Sequence, residues 1–108
     1  MYYKTPYANY KRDAALFVSS AERITGPVQV YVTFYMPIPK STPKKDAAWM
    51  DGAPHFKKPD IDNLLKAALD LLSGKVFDDD SYVARQSAEK VYTSGDPCTV
   101  ISVEPFDV

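Results

Sequence analysis

The chain has one cysteine, Cys98, one histidine, His55, and four glycines placed singly at positions 26, 52, 74 and 95. Each scarcity closes off a class of chemistry. A lone cysteine makes no internal disulfide, so Cys98 reads as a buried thiol in a reducing cytosol. One histidine and one cysteine do not make the ligand set of a zinc site. A Ser-His-Asp device would have to use His55, which stands in a lysine-rich loop with no evident orienting partner. Scattered single glycines exclude a glycine-rich phosphate loop. No apolar run approaches the roughly 20 residues that cross a bilayer. The N-terminus, Met1-Tyr2-Tyr3-Lys4-Thr5-Pro6, lacks the apolar heart of an export signal. A cytoplasmic protein with no membrane partner is expected.

What is present is ordinary in amount but uneven in distribution. A chain of 108 residues, 45% hydrophobic and 25% charged, suits a single folded domain over residues 1–108 with a modest core. It carries neither an internal repeat nor a linker. The net charge of -1 argues against a polyanion-binding protein, yet it averages over opposed blocks. Residues 1–12 and residues 40–58 each sum to +3, whereas residues 60–80 sum to -4. Basic segments beside an acidic focus fit a metal-dependent enzyme acting on a polyanion, and equally fit ordinary surface variation.

Periodicity supplies the elements. Ala14, Ala15, Phe17, Val18, Ala21 and Ile24 form an apolar stripe that predicts a helix over Ala8–Arg23, ended by Gly26-Pro27. Val28, Val30, Val32, Phe34 and Met36 alternate with Gln29, Tyr31, Thr33 and Tyr35, which predicts a strand. Both faces of that strand are fairly apolar, so it is expected to be central, with a helix or a partner subunit on its second face. From Pro37 to Pro59 five prolines and several lysines predict an irregular excursion. Trp49 and Phe56 within it suit stacking on bases or sugars, or else Trp49 pins the loop to the body. Ile61, Leu64, Leu65, Ala68 and Leu72 recur at helical spacing and predict a helix over Asp60–Ser73, stopped by Gly74. Strands are expected at Ser81–Thr93, with Val83, Val91 and Tyr92 inward, and at Cys98–Val103. Those two are expected to pair as an antiparallel hairpin around Gly95-Asp96-Pro97. The fold class is α+β, a small mixed sheet packed with two main helices.

The chemistry concentrates in Lys58-Pro59-Asp60-Ile61-Asp62-Asn63-Leu64-Leu65-Lys66 and Asp78-Asp79-Asp80-Ser81. Acids in a first helical turn complement the helix dipole, Asp60 can serve as the N-cap, and Lys66 can pair with Asp62 four residues away. The alternative is a cation site. If the strand after Asp80 returns beside the helix N-terminus, Asp60, Asp62 and Asp80 converge, and three carboxylates suit Mg²⁺ or Mn²⁺.

The run from Lys58 through Asp60, Asp62, Asn63, Lys66 and Asp70, then Gly74, Phe77, Asp79-Asp80, Val83 and Lys90, resembles the RusA family of Holliday-junction resolvases. That resemblance implies metal-binding roles for Asp60, Asp62 and Asp80, with Asp79 supporting them. It implies that Lys66 acts at the scissile phosphate and that Lys90 contacts DNA. It further implies a homodimer that cuts two opposed strands of a four-way junction with Mg²⁺, for which Mn²⁺ substitutes. Lys44, Lys45, Lys57 and Lys58 are expected to supply backbone contacts to the DNA. The alternative function is a non-catalytic module that binds branched DNA and keeps the acids for folding. Members of the family open with a strand and a basic segment, whereas here only Tyr2-Tyr3-Lys4-Thr5-Pro6-Tyr7 precedes the predicted helix. A missing edge strand or a shortened domain is therefore expected.

Overall fold

The computed structural model describes residues 2–6 and 23–106. The helix expected over Ala8–Arg23 falls outside them, apart from Arg23, which lies in irregular chain. Among the described residues, strands β1 (Tyr2–Pro6), β2 (Val28–Pro37), β3 (Val83–Thr93) and β4 (Cys98–Pro105) form one mixed sheet in the order β1-β4-β2-β3. Two helices, α1 (Lys44–Met50) and α2 (Ile61–Leu72), lie between β2 and β3 in sequence. None of the described helices is long and apolar enough to cross a membrane.

Strand β2 is the keel, as its two-residue period predicts. Val28, Val30, Val32, Phe34 and Met36 are all buried. They meet Ala68 and Leu72 of α2, Val76, Phe77, Ile101 and Val103 in one core, with Ile61, Leu64, Leu65 and Leu69 packed against it. Full burial of a side chain such as Phe34, Leu72 or Phe77 contributes about 1.5–3 kcal/mol. On the opposite face Tyr31 is 37% exposed and Gln29, Thr33 and Tyr35 are half-buried.

Two expectations about the sheet are overturned. The first concerns β3 and β4, which are not a hairpin. Strand β3 pairs in parallel with one edge of β2, and β4 pairs antiparallel with the other. A parallel pair needs a crossover connection, and the chain from Ser41 to Asp80 with its two helices supplies it. The Ser94–Pro97 turn then steps over the end of β2. Two strand spacings amount to roughly 9.6 Å, within reach of four residues. The parity of β3 also separates neighbours: Tyr92 pairs with Met36 on the core face, which places Val91, paired with Tyr35, on the other.

The second concerns the edge strand: of the two alternatives, a missing edge strand or a shortened domain, the first is overturned, because the strand is present. Tyr2–Pro6 pairs antiparallel with Cys98–Ser102 of β4, from Tyr2 opposite Ser102 to Pro6 opposite Cys98. Five residues suffice for an edge strand, and proline at its last position costs no ladder bond that a central strand would need.

Candidate active site

The excursion after β2 is shorter on irregularity than its prolines suggest. Pro43 leads into α1, whose first turn carries Lys44, Lys45 and Asp46. The chain then docks on the far end of β3. The Asp51 carboxylate accepts from the Ser94 amide at 2.8 Å, and Gly52, Ala53 and His55 exchange backbone bonds with Tyr92 and Lys90 at 2.8–2.9 Å. Trp49 does not pin the loop, since it is 66% exposed. The anchoring comes from the backbone instead.

This docking fixes where α2 begins. Lys90 shares its face of the sheet with Phe34, which is fully buried. Its stem therefore follows the rim of the core, and its ammonium donates to the carbonyl oxygens of Lys57 at 2.7 Å and Pro59 at 2.6 Å. The Lys58–Pro59 peptide between them is cis. Lys90, expected at the DNA, thus turns to the protein's own main chain. Immediately beyond it Asp60 occupies the N-cap position of α2 without capping: its side chain makes no hydrogen bond to the helix. Lys58 reaches both its carboxylate oxygens instead, at 3.1 and 3.2 Å, with both side chains well exposed. Such a surface pair is weak and easily exchanged. The capping explanation for Asp60 is therefore not realised.

Asp60 and Asp62 line an open cleft of about 570 Å³ together with His55, Phe56, Lys57 and Lys58. Ile61 and Lys90 complete its lining. Lys66 sits on an exposed position of α2 one turn beyond Asp62. Lys44 and Lys45 are exposed on α1 and do not line the cleft. His55, in a loop where the sequence offers it no evident orienting partner, is a wall of this cleft. Its ring tilts against Tyr92 with centroids 4.8 Å apart. Burial, and then the nearby Lys90 and Lys57 charges, lower its pKa, outweighing an opposing backbone hydrogen bond. Its Nδ1 is buried with no hydrogen-bond partner among the described residues. The signal was available in sequence, since His55 stands only five residues before Asp60.

The aspartate triplet divides its labour. Asp78 pairs with Arg23 at 2.9 Å, and the same guanidinium donates to the Gly74 carbonyl, which ties the turn after α2. Asp79 caps the short 3₁₀ turn Asp80–Tyr82 by accepting from the Ser81 amide at 3.1 Å. Hydrogen bonds from Ser81 hold its carboxyl below the usual range. Asp80 is left exposed at the head of β3.

That position is the main departure from expectation: within one chain Asp80 does not join Asp60 and Asp62. Helix α2 has 12 residues, so its ends are roughly 18 Å apart. Asp60 stands at its N-terminal end, beside Lys90. Asp80 follows the Ser73–Phe77 bridge at its C-terminal end. Strand β3 runs back between the two levels, from Val83 to Lys90. Among the described residues no three acids, histidines or cysteines gather closely enough to hold a metal ion. The donors that are together, two exposed carboxylates, still suit a hard cation, because Mg²⁺ commonly binds through one or two carboxylates plus water and substrate phosphate.

Comparison with known proteins bears on the same segment. The chain is similar to the protein YqaN of Bacillus subtilis (strain 168), itself uncharacterised, with 34% identity over 94 residues. The similarity covers 80% of this chain and 66% of that protein, so the chain spans about two thirds of its relative's length. The family described as endodeoxyribonuclease RusA matches residues 1–104, from the edge strand through the acids to β4. With that match spanning the sheet, the cleft and the aspartate triplet alike, the chain belongs to the RusA endodeoxyribonuclease family.

Proposed function

We propose that this chain is a divalent-metal-dependent endodeoxyribonuclease that acts as a homodimer and resolves four-way junctions by cutting two opposed strands. The observation that carries the reading is the cleft in which Asp60 and Asp62 stand among Lys57 and Lys58, in a chain of an endodeoxyribonuclease family. Asp60 and Asp62 hold the ion, Mg²⁺ or in its place Mn²⁺. Once bound, it activates water and neutralises charge at the cut phosphodiester. Asp80, too remote in its own chain, serves the cleft of the second subunit, so that dimer formation completes each site. Asp79 supports Asp80 by holding the turn that presents it. Lys66 adds a fixed cation near the phosphate as charge builds on it. Lys57 and Lys58, with Lys44 and Lys45 further out, contact the backbone of the DNA and contribute affinity without sequence information.

Two such sites at a separation set by the dimer fit two strands of a junction. The test is cleavage of a labelled four-way junction by wild type and Asp60→Asn, with and without Mg²⁺. Scission by wild type alone, and only with the ion, supports the reading. A second reading has one observation in its favour, that a single chain gathers only two of the acids. On that reading the protein is a non-catalytic module for branched DNA, and the same assay returns binding without scission.

A further inference from the structure

Phe56 is 83% exposed. A singly exposed apolar residue ordinarily needs no explanation. This one lies in the wall of the cleft that holds Asp60 and Asp62, and Lys57 and Lys58 follow it directly. Its main chain is bracketed on both sides. The His55 amide donates to the Lys90 carbonyl at 2.9 Å, and the Lys57 carbonyl accepts from the Lys90 ammonium at 2.7 Å. The neighbouring ring that could have covered it, His55, is already packed on Tyr92. Phe56 is thus projected outward from an anchored backbone. The other exposed members of the cleft wall are the cations and carboxylates Lys57, Lys58, Asp60 and Asp62, because Ile61, its apolar neighbour in the lining, is packed against the core.

We propose that Phe56 is a stacking site for a nucleobase exposed at a branch point, and so the residue by which the cleft distinguishes branched DNA from continuous duplex. This rests on the nuclease reading above. In an unbroken duplex every base is stacked on both sides, and an aromatic ring gains contact only by paying to separate a base step. At a branch, a base has already lost one stacking neighbour, so the ring gains a π face at little cost. Lys57 and Lys58 meet the flanking phosphates while the ring meets the base. The ring tolerates any base, because every base offers a π face. It therefore selects structure and not sequence.

The experiment compares wild type, Phe56→Ala, Phe56→Leu and Phe56→Trp. Affinity is measured for a four-way junction and for a duplex of equal length, with Ca²⁺ replacing Mg²⁺, and Mg²⁺-dependent cutting is run in parallel. Phe56→Ala and Phe56→Leu are expected to bind the junction roughly tenfold or more weakly with duplex binding unchanged, and Phe56→Trp to match wild type. If Phe56→Leu binds the junction as wild type does, apolar bulk suffices and the stacking site is refuted. Equal losses on junction and duplex refute it as well. Sizing the variants in solution closes the remaining escape: if Phe56→Ala changes the oligomeric state, the ring belongs to a subunit interface and the proposal fails. Wild type that cuts the junction while every variant equals it sinks the stacking site alone. Wild type that neither binds nor cuts sinks the resolvase reading and the stacking site together.

Discussion

The ammonium of Lys90 lies 2.6 Å from the main-chain oxygen of Pro59, the residue immediately before Asp60. A cation carried on a strand thereby sets the entry to the helix that bears two carboxylates, across 31 residues of sequence. Its second bond, to Lys57, holds the same stretch from the other side of the cis peptide.

Removing that cation should loosen the cleft before it affects DNA affinity. A hydrogen bond to a charged group contributes about 1.5–3 kcal/mol net, so Lys90→Met is expected to destabilise the protein by about that amount. The Mg²⁺ concentration needed for half-maximal cutting should rise at the same time. Urea unfolding and a Mg²⁺ titration read the two effects, and an unchanged result in both would remove Lys90 from the support of Asp60.

Asp60→Asn is expected to abolish cutting while keeping, or strengthening, junction binding, because one negative charge facing the phosphate is lost. A gel-shift titration beside the cleavage assay checks both halves. Cutting at the wild-type rate would strip Asp60 of its role.

The roughly 18 Å span of α2 makes a sharper prediction for Asp80. Asp60→Asn and Asp80→Asn homodimers should each be inactive. A mixed dimer of the two contains one cleft with intact Asp60 and Asp62 served by an intact Asp80, and should nick one strand of the junction. If each site were built within one chain, the mixture would stay inactive, and that outcome would end the shared-site proposal.

Changing Lys57 and Lys58 together to alanine should weaken DNA binding and reduce the steepness of its salt dependence by up to about two in the log–log slope. A slope identical to wild type would place this stretch off the DNA.

His55 links stability to pH. Its pKa is lowered from 6.5 in the folded state, chiefly by burial and next by the facing Lys90, with Lys57 adding to the effect. Between that lowered value and 6.5 the unfolded chain binds more protons than the folded one. The contribution of neutral His55 is therefore complete above 6.5 and is lost as pH falls through 6.5 toward the folded value. His55→Gln should flatten the decline in urea midpoint between pH 7.5 and pH 5.5. The lowered carboxyl of Asp79 acts below that window, from 3.8 downward, and should not mask the effect. An equal decline in wild type and variant would contradict the assignment.

Much of the fold was legible because periodicity reports local burial. The alternation of Val28 to Met36 and the stripe Ile61, Leu64, Leu65, Ala68 and Leu72 describe which side of an element faces the core, and both elements are where their spacing puts them. Strand neighbours were not legible. The short turn at Ser94–Pro97 suits a hairpin, but β2 takes the place between β3 and β4 and satisfies both of them. The edge strand Tyr2–Pro6 was missed because five residues beside a predicted helix carry too little pattern to stand out. Helix α1, seven residues among prolines, was missed for the same reason. The remoteness of Asp80 had a trace in the sequence. Only seven residues separate it from Leu72, and Gly74 with Phe77 turns the chain at that end of the helix.

Taken by itself, the amino-acid order determined the acids of the α2 N-terminus, their lysines, the helix that carries them and the central strand beneath, because each follows from spacing within a few turns. Tertiary structure decided that Lys90 grips the main chain ahead of Asp60 and that Phe56 enters the cleft, and it settled the places of His55 and Asp80, for which the sequence held only proximity and a turn. These depend on strand register and helix direction, which arise from contacts between distant segments and leave no period in the chain.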